Sequence, residues 1–243
     1  MVKPEPVSCS ITDNIQRVTQ SIHQAALLAG RDPQDILLVA VTKTVVAERL
    51  RHAHAAGIRT FGENRLQEAQ QKQESLQDLV DVSWHFIGQV QRRKIKDVVG
   101  QFDLIHSVES LEQARAMDKH ADDMGITQDI LLQVNVSGES TKGGFSSSDM
   151  LNALPEFERM MHVTVRGLMT IPPWSEDCET ARPYFRELRE MAHTVKQRDF
   201  QRTKMDELSM GMSRDYRVAV EEGTTIVRVG TALFGTRNPV EKI

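Results

Sequence analysis

The sequence of 243 residues contains little cysteine and few aromatic residues. Cys9 and Cys178 are its only cysteines, too few for a disulfide framework or for a metal site built from thiolates. No apolar run approaches the length of about 20 residues that crosses a membrane. The first ten residues, MVKPEPVSCS, lack the apolar segment of a signal peptide. These absences predict a cytoplasmic protein with no membrane contact.

The chain also lacks an excess of positive charge. Lysine and arginine number 30 against 34 acidic residues, which gives a net charge of −4. Domains that bind nucleic acid usually carry a basic face, so we expect no nucleic-acid partner. One basic segment, RRKIK at 92–96, keeps a nucleic-acid interaction module open as an alternative. We interpret this segment as a solvated helix face.

Short apolar runs alternate along the chain with amphipathic stretches of helical period. An apolar run bounded by turn residues indicates a strand buried on both faces, as in parallel sheets. Eight strands alternating with helices favour a single (β/α)8 TIM-type barrel over an open doubly wound sheet. The predicted strands are 36–41, 59–61, 83–87, 104–108, 130–136, 163–171, 207–210 and 226–229.

The tail after the eighth strand is too short for a closing helix, whereas an apolar stripe of helical period lies near the start of the chain. We therefore expect an extra N-terminal helix (1–30) to cover the gap in the barrel (36–235), both within one domain, 1–243. Ser110 is a predicted N-cap, with Gln113 as its capping-box partner. Helices are predicted at 47–56, 64–79, 111–124, 180–196 and 215–222.

Barrels of this type carry their chemistry at the carboxyl ends of the strands, and Lys43 stands at the end of the first strand. A partly desolvated lysine has a lowered pKa, and its neutral amine can attack an aldehyde to form a Schiff base. Glu63 is the one acid expected near this end. Two-carboxylate glycosidase chemistry and metal-assisted hydrolysis are therefore disfavoured.

Glycine-containing turns follow the last two strands, where barrels often bind phosphate. SMGMSRD (209–215) is predicted as a strand, a turn and a helix start, whose N–H groups would face an anion. VRVGTALFG (227–235) adds a second turn. Ser213 could bind that anion, cap the following helix, or do both. An amine beside an anion site suits an aldehyde that carries a phosphate, and pyridoxal 5′-phosphate is such a ligand.

Seven segments, in order over nearly the whole chain, resemble the pyridoxal phosphate homeostasis protein family. The fold of that family is similar to the N-terminal barrel of alanine racemase. The segments are VAVTKT (39–44), FGENRLQE (61–68), WHFIGQVQRRK (84–94), VNVSGESTKGG (134–144), GLMTI (167–171), LSMGMSRD (208–215) and VRVGTALFG (227–235).

The resemblance implies pyridoxal 5′-phosphate as the cofactor, Lys43 as its Schiff-base lysine, and Asn64 as a lining contact. It also places Arg228 beside the pyridine nitrogen. Around the phosphate it implies Met212, Ser213, Gly230 and Thr231.

Five positions depart from the family pattern without removing an implied cofactor contact. The family usually has serine, tyrosine and asparagine where this chain has Thr42, Arg65 and Arg93. Many members have lysine and proline where this chain has Val45 and Val46.

Arg228 decides which chemistry is credible. A guanidinium keeps its proton and would leave the pyridine nitrogen unprotonated, which makes the ring a poor electron sink. A racemase adds a tyrosine base from another domain, whereas Tyr184 and Tyr216 fall within helical stretches here. We predict a non-enzymatic carrier that acts in intracellular vitamin B6 homeostasis, storing and delivering the cofactor through transient contact with apoenzymes that use it.

Two further readings of the amines stay open. A Schiff-base aldolase could use Lys43 directly on a sugar phosphate, with Glu63 as its acid or base. Lys142, on the loop after the fifth strand, could take the cofactor transiently during release.

Overall fold

The computed structural model describes residues 10–139, 142–198 and 200–236, and it contains a closed barrel of eight parallel strands. Each strand pairs with its sequence neighbour, and the eighth pairs with the first. The prediction of a (β/α)8 TIM-type barrel is confirmed. The strands are β1 (Leu37–Val41), β2 (Thr60–Glu63), β3 (Ser83–Phe86), β4 (Leu104–Val108), β5 (Gln128–Gln133), β6 (Val163–Met169), β7 (Thr203–Ser209) and β8 (Ile226–Val229).

Helices surround the barrel, and three short 3-10 turns join them to the strands. The 3-10 turns are Pro33–Asp35, Arg92–Lys94 and Cys178–Ala181. The helices are α1 (Ile11–Leu28), α2 (Ala47–Ala55), α3 (Leu66–Ser75), α4 (Ile95–Val98), α5 (Leu111–Met124), α6 (Ser147–Phe157), α7 (Arg182–Lys196), α8 (Tyr216–Glu221) and α9 (Thr231–Phe234).

The extra N-terminal helix is present as α1; it packs against α2, α8 and α9 on the outside of the barrel, where it covers the gap beside the short α9, as expected. Ser10 caps it in a reciprocal capping box with Asp13. The buried stripe of α1 packs in one cluster with side chains of β8 and α9. Asn14 also donates a side-chain hydrogen bond of 3.0 Å to the Leu233 carbonyl. The four-residue α9 leaves room for this packing. Residues 1–9 of the predicted segment, including Cys9, lie outside the described residues.

Several local predictions were wrong. Asn64 does not begin a helix, since α3 begins at Leu66 with Arg65 in the cap position. Ser110 caps α5, but the Gln113 side chain accepts from the Glu109 N–H, so the predicted box does not close. The sequence also gave no prediction for α6, which contains Pro155.

The apolar core has two layers. Most buried apolar side chains lie between the strands and the helices. A small separate cluster fills part of the barrel interior, where alternate strand residues point inward; it consists of Val39, Leu104, Leu131, Met169 and Ile226. Within the described part of the chain, no helix is long and apolar enough to span a membrane.

Candidate functional site

A cavity of about 1570 Å³ opens at the carboxyl ends of the strands. This volume exceeds the range of roughly 300–1,000 Å³ that is common for small-molecule pockets. The loops after β1, β2, β6, β7 and β8 supply most of its wall. All seven residues predicted for the site line it, namely Lys43, Asn64, Met212, Ser213, Arg228, Gly230 and Thr231.

Lys43 lies on a tight turn that follows β1 directly. The Val45 N–H donates to the Thr42 carbonyl over 2.9 Å, which closes the turn around Lys43 and Thr44. Thr44 has a φ of +63°, a left-handed conformation that costs a non-glycine residue roughly 1 kcal/mol. The Thr44 N–H donates to the Glu68 carboxylate over 2.9 Å, and this hydrogen bond stabilises the strained segment. The chain thus holds Lys43, which is half-buried, at a fixed place on the cavity wall.

A buried ionic cluster supports this turn from behind. The Lys72 ammonium donates to the Thr42 carbonyl over 2.7 Å and to Glu63 Oε1 over 2.6 Å. Glu63 is 0% exposed and also accepts from the Thr42 hydroxyl. Burial raises the pKa of the Glu63 carboxyl, and the neighbouring Lys72 charge opposes that rise. Lys72 also lies 3.8 Å from Glu68. We call Glu63, Glu68 and Lys72 the acid–lysine cluster.

The expectation that Glu63 is the one acid near the mouth is wrong. Its carboxylate is engaged in the acid–lysine cluster, and the acids that line the cavity are Glu68, Asp177 and Asp215. Sequence reasoning missed Lys72 and Glu68. Their i, i+4 spacing on α3 was the available signal, since such residues lie on one helix face.

On the opposite wall, backbone donors converge on one hydroxyl. Ser213 Oγ accepts from the Gly230 N–H over 3.2 Å and from the Ala232 N–H over 3.3 Å. Ser213 therefore does not cap the following helix. The cap position of α8 belongs to Asp215, whose carboxylate accepts the Met212 N–H over 2.6 Å. Burial raises the pKa of the Asp215 carboxyl.

Two glycines shape this wall, one through its backbone conformation and one through a close approach. Gly211 has a φ of +89°, and a Cβ there would lie 2.5 Å from the Ala219 Cβ. A Cβ at Gly230 would lie 3.2 Å from the Val41 carbonyl oxygen, so the turn after β8 approaches the end of β1 closely. This approach brings the two walls together.

Arg228 lies on β8 with only 4% of its surface exposed. Its guanidinium donates to the Thr170 carbonyl over 2.9 Å and to the Ser209 hydroxyl. Burial lowers the pKa of Arg228 to about 10, against the opposing pull of Asp215. The side chain therefore stays a cation at neutral pH.

Four other residues that were singled out in the sequence have clear places. His85 is a hydrogen-bonded core histidine, as interpreted, and it contacts His106. Neither Tyr184 nor Tyr216 is among the described residues that line the cavity, and both lie on helices. Lys142 lines the cavity with its Nζ 2.8 Å from Glu139.

The basic segment 92–96 is only partly a solvated helix face. Arg92 is exposed and pairs with Glu112 over 2.5 Å, and Lys94 lies 3.5 Å from Asp97. Ile95 is buried in the core. The segment bends from a 3-10 turn into α4 instead of forming one continuous helix.

Comparison with known proteins agrees with this geometry. The family described as the alanine racemase N-terminal domain matches residues 10–238. Alanine racemase of Clostridium difficile 630 has the same fold, with a TM-score of 0.68 at 15% identity over 95% of this chain and 59% of that chain. By fold and by this match, the molecule is a barrel of the alanine racemase N-terminal class.

Closer relatives define the family more narrowly. The pyridoxal phosphate homeostasis protein of Aquifex aeolicus (strain VF5) is 44% identical over 225 residues, covering 93% of this chain and 97% of the relative. The protein of that name from Pseudomonas aeruginosa is 41% identical over 229 residues, covering 94% and 96%. The chain belongs to the pyridoxal phosphate homeostasis protein family. PipY of Synechococcus elongatus PCC7942, solved with pyridoxal 5′-phosphate (PLP) bound, has a TM-score of 0.78 at 38% identity over 89% of this chain and 100% of that chain.

Proposed function

We propose that this protein binds pyridoxal 5′-phosphate (PLP) in the cavity as a Schiff base on Lys43 and acts in intracellular vitamin B6 homeostasis. Its role would be storage of the cofactor and delivery to apoenzymes through transient contact. One observation carries this proposal: a lysine, hydrogen-bond donors suited to a phosphate, and a buried arginine line the same cavity. The names of the relatives and the PLP bound to PipY support it.

The residues present fit this cofactor. The Asn64 amide oxygen is buried and accepts no hydrogen bond within the described part of the chain. A buried polar atom of this kind is costly unless a ligand or water satisfies it. Opposite it, the Gly230 and Ala232 N–H groups donate to Ser213 Oγ, which leaves the Ser213 hydroxyl hydrogen as a donor for a ligand. Such a donor suits an oxygen-rich phosphate ester.

Each site residue has a distinct task in this proposal. When bound, the cofactor would supply an aldehyde, and Lys43 would supply the amine for a Schiff base with it, with loss of water. The Lys43 turn presents that amine, and Asn64 lines the same wall. Arg228 offers donors toward the ring nitrogen. Met212, Ser213, Gly230 and Thr231 hold the phosphate.

We further propose that the protein catalyses little amino-acid chemistry. Arg228 remains a cation at neutral pH, so it would donate to the ring nitrogen and leave that atom without its own proton. A ring in that state stabilises a neighbouring carbanion weakly. Racemisation also needs a base on each face of the substrate, and neither tyrosine is among the described lining residues.

The Schiff base is tested by absorbance and trapping. Protein purified with PLP should show a visible band that borohydride removes, with the reduced label on Lys43. Lys43→Ala should lose both band and label. Lys94→Ala, which changes a partly exposed lysine outside the cavity, is the matched control and should keep both. An unchanged band and label in Lys43→Ala would overturn the assignment.

The carrier role is tested by α-proton exchange in heavy water with alanine, serine and other common amino acids. We expect no sustained exchange, racemisation, transamination or decarboxylation. Turnover above about one per second, ordinary for an enzyme, and absent from Lys43→Ala would instead indicate a racemase-like activity.

The two alternatives from the sequence have weaker support. An aldolase would need an acid or base beside Lys43, and Glu63 is engaged with Lys72 and Thr42. A nucleic-acid module would need an uncompensated basic face, whereas Arg92 pairs with Glu112 and Lys94 lies near Asp97.

A further inference from the structure

A chain of buried polar side chains crosses the barrel interior below the cavity. His85 Nδ1 lies 3.0 Å from His106 Nε2, and His106 Nδ1 lies 2.9 Å from Ser209 Oγ. Ser209 Oγ in turn contacts the Arg228 guanidinium. The four residues come from β3, β4, β7 and β8, and none is more than 6% exposed. We call them the histidine–arginine chain.

The hydrogen atoms of this chain are determined by what each group can do. A guanidinium only donates, so Ser209 accepts from Arg228. The serine hydrogen is then donated to His106 Nδ1, which leaves the His106 hydrogen on Nε2. That hydrogen is donated to His85 Nδ1. The reverse order would make Ser209 accept twice and leave its own hydrogen without an acceptor among the hydrogen bonds of the described residues.

This order requires both imidazoles to be neutral, because each accepts a hydrogen bond at Nδ1. Burial lowers the pKa of His85 to about 4 and holds the pKa of His106 well below its usual value. The positive charge of Arg228 lowers the pKa of His106 in the same direction. The geometry and the protonation states therefore agree.

The histidine–arginine chain also competes with another possible partner of Arg228. Asp215 lines the same cavity, and its charge attracts the guanidinium. Arg228 instead stays bonded to Ser209 and Thr170, on the barrel side. Without the Ser209 contact, the attraction of Asp215 would favour another position of the guanidinium.

We propose that His106 is a positioning residue for Arg228: through Ser209 it fixes the guanidinium so that its remaining donors face the ring nitrogen of the bound cofactor. His85 extends the same support by accepting from His106. This inference rests on the proposed function of the cavity as a PLP site.

The test compares two ligands that differ at one ring atom. PLP has the ring nitrogen, and its 1-deaza analogue has a C–H group there. His106→Phe should weaken PLP binding about tenfold to a hundredfold, the scale of a hydrogen bond to a charged group. Binding of the deaza analogue should change less than about threefold, since it has no nitrogen for Arg228 to contact.

Three variants secure the comparison. Ser209→Ala removes the link directly and should reproduce the selective loss if His106→Phe fails to fold. His106→Asn places an amide oxygen near the former Nδ1 and should recover most of the PLP affinity. His162→Phe is the control. His162 is a half-buried histidine just before β6 that contacts the Ile126 carbonyl, and this variant should bind both ligands normally.

Equal weakening of both ligands in His106→Phe and Ser209→Ala would overturn the inference, since it would indicate a general structural role. The proposed function would survive that result if wild-type protein still formed the Lys43 label. If wild-type protein bound no PLP, both would fall together.

Discussion

The two walls of the cavity are built in different ways. On the β1–β2 side, the Lys43 turn depends on the acid–lysine cluster, in which charged side chains compensate one another in a buried setting. On the β7–β8 side, donors come mainly from backbone N–H groups that converge on Ser213, beside a buried arginine. One changed charge can therefore damage the first wall, whereas the second wall depends on local backbone geometry.

The largest expected effect comes from breaking the first wall. Lys72→Met leaves the Glu63 carboxylate buried without its cation and should cost about 3–5 kcal/mol of unfolding free energy. Urea denaturation measures this loss. The double variant Glu63→Gln/Lys72→Met should recover much of it, because no uncompensated charge remains. Lys94→Met, at a partly exposed lysine, is the control. A loss below about 1 kcal/mol in Lys72→Met would show that the cluster does not hold this wall.

The next largest loss of stability should come from lowering the pH, which acts on the barrel interior that both walls share. The folded-state pKa of His85 is about 4, below the value near 6.5 of an unperturbed histidine. Between these values the unfolded chain binds more protons, so stability falls as pH falls from about 6.5 to about 4. The expected loss from this group is on the order of 3 kcal/mol.

Buried carboxyls contribute with the opposite sign, because the raised pKa values of Glu63 and Asp215 favour proton uptake by the folded state. The measurement is therefore the difference between wild-type protein and His85→Asn in unfolding free energy at pH 7 and pH 4. Parallel pH profiles of the two proteins would contradict the prediction.

A smaller change should sharpen the description of the second wall. Ser213→Ala should weaken PLP binding by about 1–3 kcal/mol, the scale of a charge-assisted hydrogen bond. Pyridoxal, which lacks the phosphate, should bind almost equally to both proteins. Ser175→Ala changes another serine that lines the cavity and is the control. Calorimetric titration measures the affinity for both ligands. Equal losses of affinity for PLP and for pyridoxal would mean that the phosphate binds elsewhere.

The smallest effect concerns Lys142, which lies at the cavity and pairs with Glu139. At excess PLP, borohydride trapping should give a minor label on Lys142 in addition to the label on Lys43. Mass mapping distinguishes the two positions, and Lys142→Arg should lose only the minor label. Label confined to Lys43 would end the idea of a transient second amine.

The sequence predicted the strands better than their ends and partners. Eight apolar runs matched eight strands because a buried parallel strand needs apolar residues on both faces. The start of β7 was missed because the strands were predicted from unbroken apolar runs, and Met205 is the single apolar residue of 203–206. Its alternating burial, with Thr203 and Met205 buried and Lys204 and Asp206 exposed, is the period-2 signal that could have found it.

The site shows the same limit. Its seven predicted residues came from the family resemblance, and all line one cavity because six of them follow a strand and Arg228 lies within β8, and a barrel brings those strand ends together. The groups that support them could not be found in this way. The contact of His106 with Ser209 joins residues 103 positions apart across the barrel interior. Only the closed register of the strands brings this pair together, and no local pattern encodes it.

The place of α1 has a consequence for how the protein is made. Asn14 bonds to the carbonyl of Leu233, 219 residues later, and the apolar stripe of α1 packs against β8 and α9. Synthesis proceeds from the N-terminus, so α1 emerges before β8 and α9, which supply part of its docking surface. Contacts so distant in sequence also form slowly. We therefore expect part of the apolar stripe of α1 to stay exposed on the nascent chain until β8 and α9 have been made, and to be a segment that chaperones shield.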